Sequence, residues 1–148
     1  MRISRYNHEG YFDPTPFDAY KGIGDRTAAE TGVVGNSHGF RPIVYICSPF
    51  AGDTEANLFR ARRYCRFAVQ KGFIPIAAHL FFPQFLDDDD PDQRALGLFM
   101  ATVLLTKCHE VWVFGEKISS GMAMEITKAR GRQMPIRYFT TECEEVRA

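Results

Sequence analysis

Ile43-Val44-Tyr45-Ile46-Cys47-Ser48-Pro49-Phe50-Ala51-Gly52-Asp53 is the stretch that decides the fold. Its first five residues form an apolar run of strand length, closed by a turn-forming Ser-Pro and a Gly-Asp pair. A helix-like segment follows from about Asp53 to Lys71, capped by Asp53 or Thr54. Leu58, Ala61, Cys65 and Ala68 recur there at helical spacing, while Arg60, Arg63 and Arg66 point elsewhere, so one stripe is expected to face a sheet. Phe73 to Ala78 then reads as a second strand, completing a β-α-β unit.

The same alternation continues towards the C-terminus. Asp90-Pro91 opens a second helix, with Leu96, Phe99, Met100, Val103 and Leu104 on one side, before the strand Val111-Trp112-Val113-Phe114. Gly121 to about Gly131 reads as a third helix through Met122, Ile126 and Ala129. Pro135-Ile136-Arg137-Tyr138-Phe139 reads as the closing strand. Strands separated by helices run parallel with right-handed crossovers, which predicts an α/β, flavodoxin-like or Rossmann-like three-layer sandwich with a parallel sheet of four or five strands. Ligands of such sheets bind beyond the carboxyl ends of the strands, where strand order reverses, so attention falls on the loops 48–53, 79–90 and 115–121.

Residues 1–40 have no sustained period of two or 3.6 and read as an irregular N-terminal arm, leaving 41–148 as the domain. Tyr6, Tyr11, Phe12, Phe17 and Tyr20 are too many aromatics for a solvated tail, so part of the arm is expected to pack on the body or on a neighbouring subunit, with 21–37 the most mobile stretch.

Composition narrows the partners. The chain has 148 residues, 45% hydrophobic, and its 18 basic and 18 acidic residues cancel. That balance removes any global pull towards nucleic acid or an anionic membrane and favours a small-molecule ligand. Cys47, Cys65, Cys108 and Cys143 show no metal-ligand spacing, and the first three fall inside core elements, as suits reduced thiols in the cytoplasm. No membrane-length apolar window or signal-peptide pattern is evident. Neither a cofactor nor a resident metal is implied.

Two loops carry candidate chemistry. The first puts Tyr45, Ser48, Pro49 and Gly52 at a strand end leading into a helix, where backbone N–H groups could face an anion or a sugar; the alternative is a plain strand-to-helix turn. It contains neither the dinucleotide fingerprint nor a Walker loop. The other is Gly115-Glu116-Lys117-Ile118-Ser119-Ser120-Gly121-Met122-Ala123-Met124-Glu125. Here Ser119, Ser120 and the N–H groups at Gly121 form a helix start suited to phosphate. The competing reading makes Ser120 an N-cap and Glu125 a solvated partner of Lys128.

Tyr45 with Ser48-Pro49, and Ser119 to Glu125, resemble the two signatures of the nucleoside 2-deoxyribosyltransferase and nucleotide N-glycosidase superfamily over roughly residues 41–139. The resemblance implies that Glu125 is the nucleophile on the anomeric carbon, that Tyr45 orients it, and that Ser119 binds a 5′-phosphate. It departs at Thr102, near where the family has the aspartate that serves the leaving base. His79 in Ala78-His79-Leu80-Phe81-Phe82-Pro83-Gln84-Phe85 could act as general acid, could bind the base, or could be structural. Phe81, Phe82 and Phe85 could stack on a base, or form core or subunit contact. The run Asp87 to Asp90 suits a helix N-terminus better than a metal site. Cys108 and His109, as sequence neighbours, diverge in direction and make no dyad.

The expected function is therefore an N-glycosidase or deoxyribosyltransferase-like enzyme acting on a nucleoside 5′-phosphate or related nucleotide. A nucleotide-binding or sequestering protein and a structural interaction domain are the alternatives. Relatives build their sites at subunit contacts, so a homo-oligomer is expected.

Overall fold

The computed structural model describes residues 39–147. All but the last two residues of the arm, and with them Tyr6, Tyr11, Phe12, Phe17 and Tyr20, lie outside the described residues.

The apolar runs become the middle of a five-stranded sheet. Strands β1 (Ile43–Cys47), β2 (Ile74–Ile76), β3 (Glu110–Phe114) and β4 (Ile136–Phe139) are parallel, and β5 (Glu145–Val146) adds an antiparallel edge beside β4; the order is β2-β1-β3-β4-β5. A sheet of four or five strands was expected, but β5 was not placed and its direction is antiparallel, while β2 is shorter than the expected 73–78. Pro75 lies within β2 at one sheet edge.

Helix α1 (Thr54–Gln70) packs on one face of the sheet, while α3 (Pro91–Thr106) and α4 (Ser120–Gly131) cover the other. The three-layer sandwich is thus present. A short helix α2 (Ala78–Phe81) and a 3-10 turn (Phe82–Gln84) fill the loop after β2, where no helix was expected.

Alternation along the strands divides the core. Val44, Ile46, Trp112, Phe114 and Phe139 face α1 and meet Tyr64 and Ala68. On this face Tyr64 stacks on Phe114 with centroids 4.1 Å apart, and Phe114 stacks on Phe139 at 5.1 Å. Tyr45, Cys47, Val111 and Val113 face α3 and α4, where Ala101, Leu105, Met122, Ile126 and Ala129 receive them.

One helical stripe differs from expectation. The buried face of α1 is Asn57, Ala61, Tyr64 and Ala68, which leaves Leu58 and Cys65 half-buried at its margin. In α3 the side that carries the bulky apolar residues is not the buried one. Its buried residues are Ala101 and Leu105, whereas Leu96, Phe99 and Val103 are 48%, 64% and 42% exposed. Gly97 and Gly121 mark where α3 meets its neighbours: a Cβ at Gly97 would be in ordinary contact with Leu86, and one at Gly121 of α4 with Leu98. The bulky apolar residues therefore occupy the opposite side.

Caps set the helix ends. Asp53 accepts from the Ala56 amide, and Asp90 accepts from the Asp92 and Gln93 amides with Pro91 at the first helical position. At the end of α1, Gly72 takes φ 88°; its amide bonds to the Val69 carbonyl and that of Phe73 to Ala68, a Schellman motif. Helix α4 ends the same way, but its left-handed residue is Gln133 at φ 57°, not the glycine expected to close it. His109 joins β1 to the sheet rather than joining Cys108 in chemistry: its Nδ1 accepts from the Ile43 amide at 2.9 Å.

Candidate active site

The chain crosses from one side of β1 to the other between β2 and β3, so the loops after β1 and β3 separate at the carboxyl end of the sheet. A cleft lies there, on the α3/α4 face. Ser48 and Phe50 come to it from the loop after β1, His79 and Phe82 from the segment after β2, and Ser119, Ser120, Gly121 and Glu125 from the start of α4.

Glu125 stands one turn into α4, above Tyr45 of β1. The fully buried Tyr45 donates its hydroxyl to Glu125 Oε1 at 2.7 Å, and no ion pair joins Glu125 to Lys128 among the described residues. The solvated-pair reading of Glu125 is thereby corrected. Half-burial raises the Glu125 pKa from the usual carboxylate range, while hydrogen bonds from Cys47 and Tyr45 act against that rise. Burial, reinforced by the adjacent carboxylate, raises the Tyr45 and Cys47 pKa values well above normal, so both remain protonated donors. The result is a carboxylate stripped of part of its hydration, held from below, with its remaining surface towards the cleft.

Ser48 Oγ and His79 Nε2 share a hydrogen bond of 3.0 Å. Desolvation lowers the His79 pKa to about 4, so the ring is neutral at physiological pH. A neutral imidazole offers one donor and one acceptor to a ligand but no imidazolium proton. Ser119, not Ser120, is the N-cap of α4: its Oγ accepts from the Met122 amide at 3.2 Å, leaving its hydroxyl proton to donate elsewhere. Ser120 and Gly121 form the first turn, whose amides are free of helical partners.

Not every expected position converges. Pro49 lines a second cleft on the other side of the β1 end, with Arg60, Arg63, Lys117 and Thr140, and Ser48 borders both. Gly52, exposed at φ 97°, borders neither. Phe82 lines the first cleft, whereas Phe81 and Phe85 are each 58% exposed and so are not core. Among the described residues no His, Cys, Asp or Glu cluster could hold a metal.

Two charged residues in the cleft were missed by sequence reasoning. Arg94, in the first turns of α3, lines it and makes no ion pair among the described residues; Asp88, just before α3, lines it as well. The Asp90-Pro91 helix start was the available signal, because it fixes where the flanking side chains emerge.

Comparison with known proteins adds three findings. Residues 42–139 match the family model described as Domain of unknown function (DUF7768). No curated protein matches. Among solved structures, a 2-deoxyribosyltransferase from the psychrotolerant bacterium Bacillus psychrosaccharolyticus shares the fold, with a TM-score of 0.51 and 14% identity over 66% of this chain and 71% of that one. No helix among the described residues is long and apolar enough to cross a membrane.

Proposed function

Because the chain belongs to the family described as Domain of unknown function (DUF7768), which names no activity, we propose a function from its cleft: N-glycosidase or deoxyribosyltransferase-like chemistry on a nucleoside 5′-phosphate or related nucleotide. The observation that carries this reading is the 2.7 Å bond from the buried Tyr45 hydroxyl to the half-buried Glu125 beneath an open cleft. The fold shared with a 2-deoxyribosyltransferase supports a nucleoside as the small-molecule partner.

In this reading Glu125 attacks the anomeric carbon as the glycosidic bond breaks, and its charge stabilises the oxocarbenium-like transition state. Tyr45 orients the carboxylate. Ser119, Ser120 and the Gly121 amide receive the 5′-phosphate at the α4 N-terminus, and Arg94 supplies the counter-charge from α3. Neutral His79, tied to Ser48, hydrogen-bonds the base or sugar, with Phe82 beside it. Water or a second nucleoside base then accepts the sugar. No cofactor takes part.

A second reading, binding without turnover, is favoured by Thr102. Its hydroxyl donates to the Phe99 carbonyl at 2.7 Å and it borders a different groove, beside Lys128, leaving the cleft without a group at the family's aspartate position. The exposed Leu96, Phe99 and Val103 on α3 support a homo-oligomer. Incubation with a panel of nucleosides and nucleotides, followed by chromatography for free base, tests the proposal: base release supports it, and binding with no product across the panel favours sequestration.

A further inference from the structure

We propose that Asp88 is the acid–base group of this cleft, an inference that rests on the reading of Glu125 as nucleophile. Among the described residues, the titratable or charged side chains that line the cleft are His79 from α2, Asp88 from the loop before α3, Arg94 from α3 and Glu125 from α4. Arginine does not release its proton in this chemistry. His79 is uncharged and engaged with Ser48. Glu125 is held by Tyr45. Asp88 is half-buried, and no hydrogen bond or ion pair engages its carboxyl among the described residues.

Its neighbours are spoken for or face elsewhere. Asp87 Oδ1 accepts from the Asp89 amide, Asp90 caps α3, and Asp89 is exposed outside the cleft. Of four consecutive aspartates, Asp88 alone combines cleft lining, partial burial and an unengaged carboxyl.

The steps balance as follows. Glu125 forms a bond to the anomeric carbon, the glycosidic C–N electron pair moves to the base nitrogen, and the Asp88 carboxyl delivers a proton to that nitrogen. Asp88, now a carboxylate, takes a proton from water as the water oxygen attacks the anomeric carbon. The ester to Glu125 breaks, regenerating the Glu125 carboxylate and releasing the free sugar phosphate.

The test compares two substrates in wild type, Asp88→Asn, Asp88→Ala and, as a control, Asp89→Asn. One is a purine deoxynucleoside monophosphate, whose base must be protonated; the other is 4-nitrophenyl 2-deoxyriboside 5′-phosphate, whose nitrophenolate leaves unprotonated. Asp88→Asn is expected to slow purine release by about 100-fold or more while retaining a stoichiometric nitrophenolate burst followed by slow turnover. Azide, which attacks without a base, is expected to restore turnover of Asp88→Ala with nitrophenyl substrate and yield the glycosyl azide. Equal losses on both substrates, no loss, or a matching loss in Asp89→Asn would overturn the role of Asp88 and leave Glu125 standing. Wild type that releases neither base nor nitrophenolate would overturn the enzymatic reading itself, and this inference with it.

Discussion

The Tyr45 hydroxyl and Glu125 Oε1 meet at 2.7 Å although 80 residues of chain separate them. One sits in a central strand and the other one turn into the helix that follows β3, so the contact exists only when the sheet and α4 are both in place. Glu125→Gln is expected to abolish base release. Because burial raises the Glu125 pKa in the folded state, its ionisation costs stability as pH rises above the unfolded value. The amide variant should therefore melt no lower than wild type at pH 8, as calorimetry would read. A Gln variant with wild-type turnover removes Glu125 from the chemistry.

Arg94 should decide the preference for phosphate. Replacement by Met keeps the stem and removes the charge, and monophosphate affinity is expected to fall by about 10- to 100-fold, equivalent to roughly 1.4–2.7 kcal/mol. Nucleoside affinity should change little. Titration calorimetry with a matched nucleoside and nucleotide separates the two, and equal losses on both would deny Arg94 a phosphate role.

His79 predicts an acid-sensitive fold. Its folded pKa, about 4, lies below the ordinary 6.5, so the unfolded chain binds the proton first. Stability is complete above pH 6.5 and is lost as pH falls towards 4, by at most about 3 kcal/mol from this group. Urea midpoints at pH 7 and 4.5 should converge more in His79→Asn than in wild type, with carboxylate contributions common to both. An unchanged difference would place the sensitivity elsewhere.

Gln133 occupies the left-handed position that closes α4, where a side chain is disfavoured. Gln133→Gly should raise stability by about 0.5–1 kcal/mol, after allowing for the greater freedom of glycine in the unfolded chain. A lower melting temperature would show that the Gln133 side chain contributes something the left-handed backbone does not reveal.

Phe99 is 64% exposed on an α3 face that also shows Leu96 and Val103. If that face joins copies of the chain, Phe99→Glu should lower the sedimenting mass without unfolding the protein. The same mass in wild type and variant would leave the face without a role in self-association.

The parallel strands were legible because a strand buried between helical layers is apolar without interruption, as Ile43 to Cys47 and Val111 to Phe114 are. Helix α3 was legible from its Asp90-Pro91 start, but its buried face was not, because apolar residues lie all round it. Leu96, Phe99 and Val103 carry the strong apolar signal on one side, while the buried Ala101 carries little. The site shows the same division. Glu125 and Ser119 follow a motif after β3 and could be singled out in one dimension. Asp88 and Arg94 reach the cleft only through the direction in which α3 leaves its Asp90 cap.

Pro75 gives the outer edge of the sheet a defence against stacking. The Ile74 amide donates inward to the Pro42 carbonyl, so the next backbone nitrogen, that of Pro75, faces away from β1. It carries no hydrogen. A foreign strand laid against β2 finds three residues of edge with its central donor missing, and at the far side it finds only the two residues of β5. Among the described residues both borders are thus poor templates for intermolecular β-pairing, so fibrillar growth by sheet extension from the native state is disfavoured.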